Sequence, residues 1–201
     1  MKKRTLLSAL LLFPFVLLAQ TNNEPNPGFG THIVTVVPIQ FLSNNQDDYS
    51  GGDVALGVAY EKILKNEYVG IKLPFSFSLK SPGFFYFMPG VKLYPKKQGV
   101  VKYAVGPQFS LGIGTVKRKV YDYNSPYGTY IIYKENSTQL GFMINNSLNV
   151  TVAKEFYLGI ELGIGVQYFD SRDNNDQYFN DDYNSTLNAT AQFNFSMGYR
   201  F

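Results

Sequence analysis

Residues 185–201 (STLNATAQFNFSMGYRF) alternate between apolar and polar side chains up to the last residue. Leu187, Ala189, Ala191, Phe193, Phe195, Met197, Tyr199 and Phe201 share one parity; Asn188, Thr190, Gln192, Asn194, Ser196, Gly198 and Arg200 share the other. Successive side chains of a strand point to opposite faces, so this period of two makes one apolar and one polar face. Seventeen residues far exceed the roughly 5–6 of an ordinary soluble strand. A strand that crosses a bilayer needs about 9–11 residues plus its extensions. The segment therefore points to a transmembrane β-barrel.

The start of the chain is consistent with that destination. Residues 1–19 combine a basic start (Lys2, Lys3, Arg4), an apolar stretch from Leu6 to Leu18 and a small residue, Ala19. This is the three-part pattern of a cleaved secretory signal peptide. The apolar stretch is shorter than the ~20 residues of a spanning helix. The expected plan is a signal peptide at 1–19, a Pro- and Asn-rich periplasmic tail at 20–30 and one barrel domain at 31–201. The formal charge of +3 is that of Lys2, Lys3 and Arg4; without them the chain is balanced, with 15 acidic residues and as many basic ones. No electrostatic case for nucleic acid remains. Cysteine is absent, which removes disulfides and thiolate metal sites. No cofactor is expected.

Eight alternating segments are predicted, at 31–41, 53–62, 68–79, 84–94, 101–116, 137–152, 156–169 and 186–201. In the seventh, Phe156, Leu158, Ile160, Leu162, Ile164, Val166 and Tyr168 oppose Gly159, Glu161, Gly163, Gly165 and Gln167. The first is the least regular, because Val34 and Val36 fall on its nominally polar face. Connections at 63–67, 95–99 and 153–155 are short, whereas those at 42–52, 117–136 and 170–185 are long; 80–83 is short as well. Outer-membrane barrels pair short periplasmic turns with longer outside loops on an even number of strands. The fold class is accordingly all-β: an eight-stranded, antiparallel, up-and-down transmembrane β-barrel.

Alternation alone does not say which face is inside, since a soluble lipocalin-like carrier is equally two-faced. Here the polar faces are Gly, Ser, Asn, Thr and Gln with sparse charge, which suits a crowded lumen. Aromatic residues gather near the strand ends: Tyr60, Tyr68, Tyr94, Tyr103, Tyr157, Tyr199 and Phe201 on the turn side, and Tyr49, Tyr121, Tyr168 and Phe169 on the loop side. Such belts mark membrane interfaces.

The leader, the eight strands and the terminal Tyr199-Arg200-Phe201 resemble the small outer-membrane β-barrel families of Gram-negative bacteria, among them the OmpA-like transmembrane, OmpW-like and PorT-like groups. The resemblance implies location in the cell outer membrane, contact with outer-membrane lipid and lipopolysaccharide, and Tyr199 and Phe201 as the signal read by the insertion machinery. It brings no active-site motif, and activity varies widely among such barrels.

Three sets of residues are functional candidates. Glu61, Lys72, Lys92, Lys102, Gln108, Glu161, Gln192 and Arg200 fall on polar faces. An eight-stranded barrel is just wide enough for side chains to fill, so opposite charges among them should pair into a plug; a narrow porin-like channel is the alternative. Tyr121, Tyr123, Tyr127, Tyr130 and Tyr133 make the third outer loop Tyr-rich, which suits recognition of an extracellular ligand. Asp170, Asp173, Asp176, Asp181 and Asp182, with Asp47, Asp48 and Asp53 of the first loop, match no EF-hand spacing and read as a solvated acidic surface. The single histidine, His32, starts the first strand, far from the outer leaflet where lipid-modifying barrels work. With no base for a nucleophile, a non-enzymatic role is expected, structural or in surface recognition.

Overall fold

The computed structural model describes residues 28–44, 52–122, 129–171 and 187–201. They form β1 (His32–Asn44), β2 (Asp53–Ile63), β3 (Val69–Ser78), β4 (Phe85–Phe87), β5 (Gly90–Leu93), β6 (Val101–Asp122), β7 (Thr129–Val152), β8 (Phe156–Asp170) and β9 (Asn188–Arg200). β4 and β5 are halves of one stave interrupted at Met88 and Pro89, so the barrel has eight staves. Proline has no N–H to give to a ladder, and the flanking staves carry the same deficit, with Pro74 in β3 and Pro107 in β6. All pairings are antiparallel between neighbours in the chain, and β9 returns to pair with β1 from Asn44↔Thr190 to Ile33↔Arg200. Closure leaves the wall without free edges. The short turns, Gly28 and Phe201 lie at one end, the inner end; the longer connections lie at the other.

At the closing seam the backbones come very close. Gly198 faces Thr35, and a Cβ on it would sit 1.9 Å from the Val34 carbonyl oxygen. Gly198→Val is expected to destabilise the closed barrel by about 1–3 kcal/mol, seen as a lower urea midpoint for the folded form. An unchanged midpoint would mean that the seam has slack.

The exterior is apolar over its whole circumference and the interior largely polar. Phe75, Phe77, Ile160, Leu162, Ile164 and Phe193 face outward and are exposed, whereas Glu61, Lys72, Gln108, Asn149, Glu161 and Gln192 face inward and are buried. This is the inverse of a soluble carrier's arrangement.

Two bulges revise the predicted faces. In β1 the register slips between Val37 and Gln40 against β2, with Pro38 inside the slip. A bulge exchanges the parity of everything beyond it. Val34 and Val36 are thus on the exterior together with Ile39 and Phe41, and the apparent irregularity of the first segment disappears. In β8 the pairing jumps from Leu140↔Phe169 to Gly141↔Gln167, leaving Tyr168 as the extra residue. Tyr168 and Phe169 both stay outside, and Asp170 turns in.

The third outer connection also differs from expectation. Residues 117–136 are mostly strand: β6 and β7 pair continuously from Val101↔Val150 to Asp122↔Thr129. Their other neighbours stop earlier, β4 at Ile113 and β8 at Gln139. Beyond that rim the two strands continue as a ribbon about 27 Å long at ~3.4 Å per residue. A hairpin needs only its own partner strand to extend, which is why it can outrun the wall.

Candidate functional site in the lumen

Inward parity brings polar residues of eight strands into one interior. All eight predicted lumen residues, Glu61, Lys72, Lys92, Lys102, Gln108, Glu161, Gln192 and Arg200, are buried. Glu161 of β8, 1% exposed, is their hub. Its Oε1 pairs with Lys72 Nζ at 2.5 Å and Lys92 Nζ at 2.7 Å, and its Oε2 accepts from Asn145 at 3.4 Å and Asn194 at 3.3 Å. Lys92 also reaches Glu61 Oε2 at 3.0 Å, and the Tyr94 hydroxyl donates to the other Glu61 oxygen. Above this ionic cluster, Gln108 Nε2 donates to Gln192 Oε1 at 3.2 Å, and Asn145 Nδ2 donates to Gln108 Oε1. Buried charges are costly unless paired and hydrogen-bonded, and three ion pairs and several amides meet that demand for Glu61, Glu161, Lys72 and Lys92.

The inner mouth is closed by Arg200. Its Nε donates to the Gly30 carbonyl at 2.7 Å, Nη1 to Thr151 Oγ1 at 3.4 Å and Nη2 to Gln98 Oε1 at 3.1 Å. Its guanidinium carbon lies 4.8 Å from the centre of the Phe29 ring, and Lys102 Nζ lies 5.5 Å from the same ring.

The outer half of the lumen contains features that the strand pattern did not reveal. Leu42, Ala55, Phe84, Tyr86, Met88 and Met143 form an apolar cluster inside the barrel. The Phe84 ring occupies space that a Cβ on Gly112 would fill, 2.9 Å away. Tyr94 and Tyr157, assigned from sequence to the turn-side aromatic belt, are lumen residues: both are buried, and Tyr157 donates to Asn149 Oδ1. The signal is present in the sequence. Phe84, Tyr86, Met88 and Tyr94 share the parity of Lys92, and Tyr157 that of Glu161, so clustering at strand ends misleads where parity does not.

Asp170 is likewise not part of a solvated surface. It is 3% exposed and accepts from Ser137 Oγ at 3.2 Å and from Gln139 and Gln167 Nε2 at 3.1 Å each. Asp53, half-buried, accepts from Ser78 Oγ at 2.9 Å, Tyr86 OH at 2.7 Å and the Val54 N–H at 2.7 Å. Side chains of the barrel itself hold both, so each belongs to its outer collar. Asp47, Asp48, Asp173, Asp176, Asp181 and Asp182 lie outside the described residues.

Of the recognition tyrosines, Tyr121 is paired with Tyr130 in the backbone register of the ribbon, and Tyr133 with Arg118; Tyr123 and Tyr127 lie outside the described residues. Tyr199 and Phe201 are exposed on the exterior of the last stave. Phe201 is tied to His32 by two reciprocal backbone hydrogen bonds of 2.8 Å, and their rings stack with centres 5.7 Å apart. His32 Nδ1 also meets Tyr60 OH at 2.6 Å. The histidine thus serves the seam at the inner rim.

Among the described residues, a cavity beside Tyr86, Gln139 and Thr190 and another beside Lys72, Met88 and Gln108 measure about 10 Å³ each, room for roughly one water.

No protein-family model matches the chain, and no curated protein matches its sequence. Among solved structures, it is similar to the attachment invasion locus protein Ail of Yersinia pestis (10% identity, TM-score 0.54, covering 86% of this chain and 99% of Ail). Neisserial surface protein A is similar to the same degree (11% identity, TM-score 0.54, covering 87% of this chain and 99% of the other). The N-terminal β-barrel domain of Pseudomonas aeruginosa OprF matches at 11% identity and TM-score 0.50, covering 86% of this chain and 99% of that domain. At these identities the likeness is one of fold.

Proposed function

We propose that this chain is a non-enzymatic integral protein of a Gram-negative outer membrane, delivered by a cleaved leader at 1–19, whose role is structural or in recognition through its outer loops and ribbon. The observation that carries this reading is the inverted barrel: apolar outside, ionically plugged inside. The outward run of β8 from Phe156 to Tyr168 spans about 40 Å along the strand. At a tilt of ~40° this covers about 30 Å of height, the thickness of a hydrocarbon core. Burial of both Lys72 and Lys92 against Glu161 at mid-barrel favours a plug over a pore. The fold likeness to an attachment protein and a surface protein supports a surface role. On this reading the ribbon stands in the lipopolysaccharide layer, and Tyr199 and Phe201 are what the insertion machinery reads.

Two measurements test it. Detergent-extracted protein is expected to migrate differently boiled and unboiled, as a closed barrel resists SDS when cold. In planar bilayers it is expected to be silent. Steady conductance altered by charge reversal at Glu161 would establish the narrow channel instead, and release from cells in aqueous buffer would sink the membrane assignment.

A further inference from the structure

Each of the three short turns at the inner end carries exposed lysine. Lys62 and Lys65 stand at the β2–β3 turn, Lys96 and Lys97 at the β5–β6 turn, and Lys154 at the β7–β8 turn. Among the described residues these five lysines meet two acids at the same level, Glu67 and Glu155. The Glu155 carboxylate already accepts from the Tyr199 hydroxyl. Lys62, Lys65, Lys97 and Lys154 form no ion pair among the described residues.

Their height relative to the apolar wall is informative. Toward this end the outward apolar side chains finish at Leu93, Val152 and Phe156, each 46–47% exposed. Lys96, Lys97 and Lys154 follow two to four residues beyond, a drop of roughly 5–10 Å at ~3.4 Å per residue and ~40° tilt. The headgroup layer is about 5–8 Å thick on each side of the hydrocarbon, so these amines stand at phosphate level. Lys62 is on the wall itself, exposed and in register with outward-facing Ile71. There its stem can lie along apolar surface while the amine reaches the headgroups.

We propose that the three inner turns form a collar that binds phospholipid headgroups of net negative charge in the adjoining leaflet. The inference rests on the membrane reading above and adds the lipid class. A zwitterionic headgroup brings its own ammonium to the lysines, whereas an anionic one does not, so the collar discriminates by net charge. An acidic protein docking on the end of the barrel would be met by one contiguous patch. The lysines instead follow the perimeter through three corners, and Lys62 looks sideways, where lipid lies.

The test uses the full-length protein refolded into dimyristoylphosphatidylcholine vesicles with trace spin-labelled phosphatidylcholine or phosphatidylglycerol, read by electron spin resonance. Lipid held at the barrel wall is motionally restricted, and the ratio of the two restricted fractions gives the preference. A lysine near an anionic surface is worth about fivefold; averaged over a wall whose outer half lacks the collar, about a twofold preference for phosphatidylglycerol is expected. It should appear at about 10 mM salt and fall to parity at about 1 M sodium chloride. K62Q/K65Q/K97Q/K154Q is expected to lose it, and K80Q, at an exposed position of the outer end, to keep it. Lys154 has φ 70°, a left-handed backbone that asparagine adopts at less cost, so K154N should lower the ratio without loss of folding. Salt and K154N decide the matter if the fourfold variant fails to refold. Equal restriction of both labels in wild type overturns the proposal and leaves the collar to an acidic protein partner. A preference that survives high salt or the fourfold substitution overturns it as well. Failure of the membrane reading looks different, because neither label would then be restricted at all, which would sink both.

Discussion

Glu161→Leu is expected to destabilise the folded barrel by about 3–5 kcal/mol, the range for breaking a buried ion pair by removing one partner. The reason lies in what the substitution leaves behind. Lys72 and Lys92 both direct their amines at Glu161 Oε1, and Asn145 and Asn194 donate to Oε2. Leucine would strand one ammonium entirely and leave the other with Glu61 alone. The loss comes from orphaned charge, not from the ion pairs having been strongly favourable, because desolvation cancels much of a buried pair's attraction. Adding Lys72→Met to Glu161→Leu removes the stranded ammonium, leaves Lys92 paired with Glu61 and should therefore recover most of the stability. Urea unfolding in lipid vesicles, scored by the folded band on a cold gel, measures both. A single mutant with a wild-type midpoint would show that water reaches the cluster and screens it. A double mutant worse than the single would show that the charges also specify the packing.

On the outer face, Leu162→Arg is expected to cost about 2–4 kcal/mol, the value for a cation at the midplane on the lipid side of a barrel. Leu162 is outward-facing near the middle of β8. The same change at Tyr68, exposed beside the inner turn, should cost about 0–1 kcal/mol, since the penalty fades toward the interface. Depth dependence is the readout that matters, and it is obtained by refolding both variants into vesicles and comparing midpoints. Were the barrel a soluble carrier, arginine at 162 would replace an exposed leucine in water and should leave stability unchanged or improve solubility. Equal effects at the two positions would remove the bilayer from the explanation.

Much of the fold is legible in the sequence because strand alternation is local. The eight staves, their order, the short-turn end and the inward parity of Glu161 and Lys72 all follow from a period of two within single segments. The misreadings have identifiable physical reasons. Tyr94 and Tyr157 lie near strand ends, where belts are expected, yet their parity matches Lys92 and Glu161. Asp170 reads as loop because a bulge at Tyr168 reverses the parity after it, and nothing in a single strand announces which residue is left unpaired. The ribbon reads as loop because Lys117, Arg118 and Lys119 follow one another, and a run of charges shows no period of two.

The sequence by itself determined that the chain makes long two-faced strands, that their number is even and that charge is kept off one face, since each of these is read from neighbours along the chain. Only the tertiary structure decided which charges meet. Lys72 and Glu161 are separated by 89 residues, on staves that are not adjacent in the wall, and their encounter depends on the stagger of every strand between them. It also decided that Lys102 remains without an acceptor. Which partner a side chain finds across a lumen depends on register summed around the closed sheet, and register is a relation between strands that no single strand encodes.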